Sequence, residues 1–183
     1  MICTRAQLSS AQMPSDSTRE QPTLVATASG LLLWFGACTL VAVIGAFASV
    51  RAGVFYAELV RPAWAPPASL FGPVWTVLYA MMAFAAWLVW ERRAAALARI
   101  ALVLFVAQLV LNGLWSWLFF GWKLGALSFL DIVVLWALIV ATLWCFWRVR
   151  PLAGLMLVPY LAWVSFASVL NFAMWQLNPS ILG

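Results

Sequence analysis

The chain contains no histidine and only 8% charged residues, and each shortage excludes something. Without histidine it lacks the commonest general base near neutral pH and the commonest metal and haem ligand. Its charge content is about a third of that usual in a soluble domain. Hydrophobic residues fill 67% of the 183 positions. A soluble fold of this size cannot hide so much apolar surface, so lipid is the solvent for most of the chain. Cysteine is scarce: Cys3 lies in a polar stretch, Cys38 and Cys145 in apolar runs. No spacing suits a metal site or a disulfide framework, and the thiols read as small packing residues. The net charge of +5 comes from basic residues standing singly or in pairs at the ends of apolar runs. That placement describes membrane topology rather than nucleic-acid binding. No acid–base pair is visible, so ordinary hydrolytic chemistry is not expected, and neither is a bound cofactor.

What is present is a set of long uncharged runs. Residues 1 to about 27 are polar and turn-rich, with Ser9, Ser10, Pro14, Ser15, Asp16, Ser17 and Pro22, and read as a disordered tail. From residue 28 to 178 the chain predicts one all-α integral membrane domain, a bundle of five transmembrane helices at about 29–50, 70–90, 98–121, 124–147 and 151–177. Pro66 and Pro67 delay the second helix, Pro151 suits the start of the fifth, and Asn178-Pro179 ends it. Residues 179–183 read as a short tail. Strands of a membrane barrel would be half as long and would alternate in polarity, and these runs do neither.

Five crossings put the termini on opposite sides. Seven Lys and Arg fall on the side of the N-terminus (Arg5, Arg19, Arg92, Arg93, Arg99, Arg148, Arg150) and three on the other (Arg51, Arg61, Lys123). The excess predicts a cytoplasmic N-terminus in a multi-pass, bacterial-type membrane protein. Short loops after the second, third and fourth runs predict antiparallel neighbours. The first loop, Arg51 to about Leu70, is the long connection. With Tyr56, Trp64 and three prolines it reads as an ordered lid, a passive linker being the alternative.

Thirteen tryptophans need an explanation. Trp64, Trp90, Trp122, Trp147 and Trp175 sit near run ends and suit an interfacial belt. Trp75, Trp115, Trp136 and Trp163 lie deeper, where an indole N–H needs a partner. Polar residues inside the runs are more telling. Gln108, Asn112, Trp115 and Phe119 share one helical face, as do Tyr160, Trp163, Ala167 and Asn171. Trp75 and Tyr79 stand four apart, and Asp131 is the intramembrane carboxylate. These polar groups could be interhelical hydrogen bonds worth about 0.6–2 kcal/mol each. Their depths favour a cavity instead. At about 1.5 Å per residue, Asn112, Asp131 and Asn171 lie roughly 9–15 Å from the side that bears the long loop. Aromatic walls with few polar anchors suit a flat apolar ligand. Pro159 could kink its helix and widen that cavity, or serve packing alone. Gly45, Ser49 and Gly53, four apart, form a small-residue ridge that suggests a dimer face.

Four segments carry a resemblance: FYAELVRPAWAPP, FGPVWTVLYAMM, QLVLNGLWSWLFFG and PYLAWVSFASVLNFAMWQLN. In order and content they resemble the tryptophan-rich sensory protein (TspO/MBR) family, whose animal members are the translocator protein or peripheral-type benzodiazepine receptor. The likeness runs from about Phe35 to Asn178. It implies a five-helix bundle, usually a homodimer, that binds porphyrins, sterols and benzodiazepine-type ligands. By motif position, Trp75, Asn112, Trp163 and Ala167 look like pocket residues. Tyr56 and Pro66-Pro67 match the family's lid, and Asp131 an acidic position of some members. Leu170, Asn171 and Phe172 match the sterol-recognition stretch, but Gln176 stands where that pattern has a cation. The resemblance thus implies a porphyrin held by stacking on Trp75 or Trp163, its carboxylates near Arg51 or Arg61. Two alternatives stand beside this receptor role in tetrapyrrole or stress responses. One is light-dependent porphyrin degradation with Trp75 and Trp163 as reactive groups. The other is small-molecule transport, though no inverted repeat is evident.

Overall fold

Lipid offers the backbone no hydrogen bonds, so each apolar run must satisfy its own. The computed structural model describes residues 24–183, and in it five helices are long and apolar enough to cross a bilayer. In chain order the elements are α1 (Leu24–Ala48), α2 (Ala52–Glu58), α3 (Phe71–Trp90), α4 (Ala96–Ser116), α5 (Gly125–Val149), α6 (Pro151–Leu177) and α7 (Pro179–Leu182). The protein is an all-α membrane protein whose five spans are α1, α3, α4, α5 and α6. The disordered tail expected over residues 1–27 lies outside the described residues, except that α1 already begins at Leu24.

The spans close in the order α1, α3, α6, α5, α4 and back to α1. The three pairs joined by short loops, α3–α4, α4–α5 and α5–α6, all touch, α3 and α4 least closely, because α3 packs chiefly on α1 and α6. Trp34 of α1 wedges at their edge. Its ring lies 5.9 Å from that of Trp90 and 5.6 Å from that of Phe105, edge-on to both, and so packs against both α3 and α4.

The glycine ridge is split between two elements. α1 ends at Ala48, so Gly53 belongs to α2, and a Cβ on Gly45 would stand 3.2 Å from the Ser116 Oγ of the same chain. Gly45 serves close packing of α1 on α4. The outward side of α1 is apolar, with Leu32, Leu40 and Phe47 exposed as a lipid-facing surface requires.

Two termini are shaped for the site. α4 runs into one π-helical turn, Trp117–Gly121, in which the Trp122 N–H donates to the Trp117 carbonyl at 2.7 Å. Such turns insert a residue into the helix and often mark functional positions. Here the turn brings Leu118 and Phe119 inward. The expected C-terminal tail 179–183 is instead the helical turn α7. Its Leu182 is buried, and the Trp175 N–H donates to the Gly183 carbonyl at 2.6 Å. An apolar side chain one turn past Pro179 has a hydrophobic cluster to join, which is why the tail folds back. At the other end Arg150 pairs with Glu91 at 3.0 Å and ties the start of α6 to the α3–α4 loop.

Candidate ligand-binding site

The site begins with aromatic rings that three helices turn inward. Trp75 and Tyr79 lie one turn apart on α3, their ring centroids 5.6 Å apart, and Trp75 stands 6.3 Å from Tyr160 of α6. Behind the rings runs a chain of hydrogen bonds. The Tyr79 hydroxyl donates to Asn112 Oδ1, Asn112 Nδ2 donates to the Tyr160 hydroxyl at 2.9 Å, and Tyr160 donates to Gln108 Oε1 at 2.7 Å. One chain thus joins α3, α4 and α6. Tyr160 is 1% exposed, and its position as hub was not evident from spacing alone.

A second cluster lies nearer the lid. The Trp115 indole N–H donates to Asn171 Oδ1 at 2.9 Å, and Trp115 stacks on Phe119 at 5.4 Å. Because an indole N–H can only donate, the Asn171 oxygen faces Trp115 and its NH2 group points elsewhere. Among the described residues, five buried side-chain polar atoms have no partner. Four of them belong to expected site residues: Gln108 Nε2, Asp131 Oδ2, Trp163 Nε1 and Asn171 Nδ2. The fifth is Trp34 Nε1, near the opposite end. Gln108 is 1% and Asn171 2% exposed, so bulk solvent does not satisfy them. The two amides follow one pattern. Each carbonyl oxygen is held by an aromatic donor, and each NH2 group is left free.

The expected residues therefore separate. Tyr79, Gln108 and Asn112 meet in the first cluster with Trp75 against it, and Trp115 and Asn171 form the second. Ala167 is buried, and Asp131 is buried on α5. Trp163 faces Phe71, at 5.8 Å, and Phe166, at 5.6 Å. It lines a groove of about 640 Å³ between α3 and α6 with Pro73, Val77, Met81 and Pro159. This corrects the reading of Pro159 as widening the interior: Pro159 is exposed and shapes the outer groove, because it sits one residue away from the inward-facing Tyr160. Trp136 is likewise not buried. It is 40% exposed, its N–H satisfied by Ser165 Oγ at 2.8 Å.

The lid is ordered by rings. Tyr56 is buried, but its hydroxyl donates to the Pro66 carbonyl at 2.9 Å within the lid itself. Tyr56 therefore builds the lid rather than reaching into the interior. Burial pushes its phenol up, the Arg61 guanidinium 5.1 Å from the ring partly offsets this, and the group stays a donor at neutral pH. Its ring lies 5.6 Å from Phe71, Phe55 lies 6.1 Å from Phe119, and Trp64 lies 5.9 Å from Phe166. Trp64, read both as a belt residue and as part of the lid, packs as part of the lid. Lys123, the one described non-glycine residue with positive φ (57°), sets its ammonium 4.8 Å from the Phe55 ring. Arg61 and four lid prolines and alanines line a further open pocket of about 520 Å³ with Leu59 and Pro67. Among the described residues no group of three or more Cys, Asp or Glu is placed to hold a metal.

The TspO/MBR family profile matches residues 34–176. The chain is 46% identical over 154 residues to the "Tryptophan-rich protein TspO" of Chlorobaculum tepidum, covering 81% of this chain and 96% of that protein. It is 39% identical over 151 residues to "Protein CrtK" of Rhodobacter capsulatus, covering 80% and 91%. To the human "Translocator protein" it is 36% identical over 126 residues, covering 68% and 75%.

Proposed function

The chain belongs to the TspO/MBR family, and from that premise we propose that it is a membrane receptor that binds a flat, largely apolar ligand of the tetrapyrrole class beneath its lid. The observation that carries this reading is the pair of buried carboxamides, Gln108 and Asn171, whose oxygens are held by Tyr160 and Trp115 and whose NH2 groups have no partner. An unsatisfied polar group away from water costs several kcal/mol, on the order of 2–7 by transfer data. The two amides are explained by an interior ligand that brings acceptors to both NH2 groups. The aromatic rings supply stacking area, and Arg51 and Arg61 at the lid supply cations for ligand carboxylates. With no histidine in the chain, a metalloporphyrin is held by its faces and edges rather than through imidazole. Regulation, rather than turnover, suits a site without an acid–base pair. Names such as tryptophan-rich sensory protein among the relatives accord with it.

The N-terminus is cytoplasmic in this proposal. Arg92, Arg93, Arg99, Arg148 and Arg150 gather at the α3–α4 and α5–α6 end, against Arg51, Arg61 and Lys123 at the lid end. The site then opens on the non-cytoplasmic side.

The test is a titration of protoporphyrin IX into the purified protein in detergent, followed by tryptophan fluorescence. Trp75→Phe with Trp163→Phe is expected to weaken binding about tenfold, since each exchange of indole for the smaller phenyl ring gives up part of a stacking contact worth about 0.5–1.5 kcal/mol. Equal affinity and equal quenching in wild type and double variant would sink the proposal. Absorption spectra after illumination, on the same samples, distinguish binding from tryptophan-driven degradation: intact spectra are expected.

A further inference from the structure

We propose that Asn178 is the latch of the lid, a positioning residue whose carboxamide grips the backbone of Val60 and must release it before the segment 52–67 opens. Asn178 Oδ1 accepts from the Val60 N–H at 2.8 Å, and Asn178 Nδ2 donates to the Val60 carbonyl at 2.9 Å. The second Nδ2 hydrogen goes to the Met174 carbonyl at 2.8 Å. The carboxamide thereby satisfies its donors and an acceptor with main chain, two of the three bonds being to a residue 118 positions away. Among the described residues, these two are the hydrogen bonds that join the lid to α6.

The rest of the lid is held differently. Phe55, Tyr56, Leu59 and Trp64 contribute ring and aliphatic contacts, which lack fixed direction and tolerate sliding. The Tyr56 hydroxyl is committed to Pro66 inside the lid. Among the described residues Asn178 alone adds a directional tie to α6, and at 3% exposure it is screened from competing water. Its backbone carbonyl also accepts from the N–H groups of Ile181 and Leu182, at 3.1 and 2.9 Å. Leu182 shares a cluster with Phe55, Tyr56 and Leu59. The lid, the end of α6 and α7 are therefore fastened at one point. Only an amide fits the role. Aspartate would set a second oxygen against the Val60 and Met174 carbonyls, and leucine would offer neither donor nor acceptor.

The gating consequence rests on the interior-binding reading above, whereas the latch does not. Hydrogen exchange on the ligand-free protein tests the latch. In Asn178→Leu the amides of residues 55–64 are expected to exchange about tenfold faster, two hydrogen bonds having been lost. The core amides of α4 and α5 should stay unchanged. Val60→Pro removes the donor from the other side. Val60 is exposed in its side chain, and Leu59 at ψ 141° already has the backbone that a following proline requires. It should also release the neighbouring lid amides. Asn178→Asp should be intermediate, keeping the acceptor alone. Stopped-flow binding of protoporphyrin IX tests the gate: association and dissociation should both accelerate in Asn178→Leu while the dissociation constant stays nearly constant. A variant that merely damages the site would raise the dissociation constant instead. Unchanged lid exchange in both Asn178→Leu and Val60→Pro overturns the latch. Faster exchange with unaltered probe kinetics overturns the gate. Failure of the wild type to bind protoporphyrin IX overturns the interior reading, and lid exchange still decides the latch.

Discussion

The Tyr160 hydroxyl accepts from Asn112 and donates to Gln108, so one oxygen serves two polar side chains of α4 from a position on α6. Removing it strands both partners in the interior. Tyr160→Phe is expected to destabilise the protein by about 1–3 kcal/mol, the usual cost of leaving buried groups unsatisfied. Tyr79→Phe should cost less. Tyr79 ends the chain of bonds and is only half-buried, and its loss frees Asn112 Oδ1 alone. Thermal unfolding in detergent, comparing the two variants, checks the order. The same residues show what spacing can reveal. Gln108 and Asn112 were legible as one face because four residues make about one turn. Whether they bonded to another helix was not legible: both oxygens and the Asn112 NH2 group are bonded across helices, and the NH2 group of Gln108 has no partner.

Close approach of helices decides stability at the scale of elements. A Cβ on Gly154 would come within 2.8 Å of the Trp147 backbone, at the turn from α5 into α6. Backbone cannot swing aside as a flexible side chain does, so Gly154→Ala should destabilise the α5–α6 hairpin by about 1–3 kcal/mol through overpacking. Gly36 has nothing within 4 Å of its would-be Cβ, in the middle of α1. Gly36→Ala should therefore gain about 0.5–1 kcal/mol of helix propensity. Opposite shifts in unfolding temperature are the expected result. Element types were legible because an uncharged run of this length has one low-energy form in lipid. Element ends were less so. Pro179 announced the end of α6 but not α7, since only burial of Leu182 makes that turn worth forming. The π-helical turn at Trp117 had no signal, because it answers to where Phe119 must pack against Phe55.

The whole molecule adds its orientation in the bilayer. With the N-terminus cytoplasmic, a cysteine at Ala63 in the lid should react with a membrane-impermeant maleimide in intact cells. One at Ala94 in the α3–α4 loop should react only after permeabilisation. Both positions are exposed and Cys38 and Cys145 are buried; with the third cysteine, Cys3, replaced by serine in both variants, the label reports the sidedness of the new thiol. The reverse labelling pattern would turn the protein over and place the lid in the cytoplasm.

Composition and run length, by themselves, determined that this chain lives in lipid, that it crosses five times and that α-helices do the crossing, because unpaired backbone is intolerable there. Motif order was enough to point to the family. Only the tertiary structure decided the order of helices around the bundle, where Trp34 packs against both α3 and α4. It alone decided which polar atoms were paired and which were left over. It also joined Asn178 to Val60, a contact that no local pattern encodes. Local physics specifies helices residue by residue, whereas side-chain pairing across 118 positions depends on how five rigid rods finally pack.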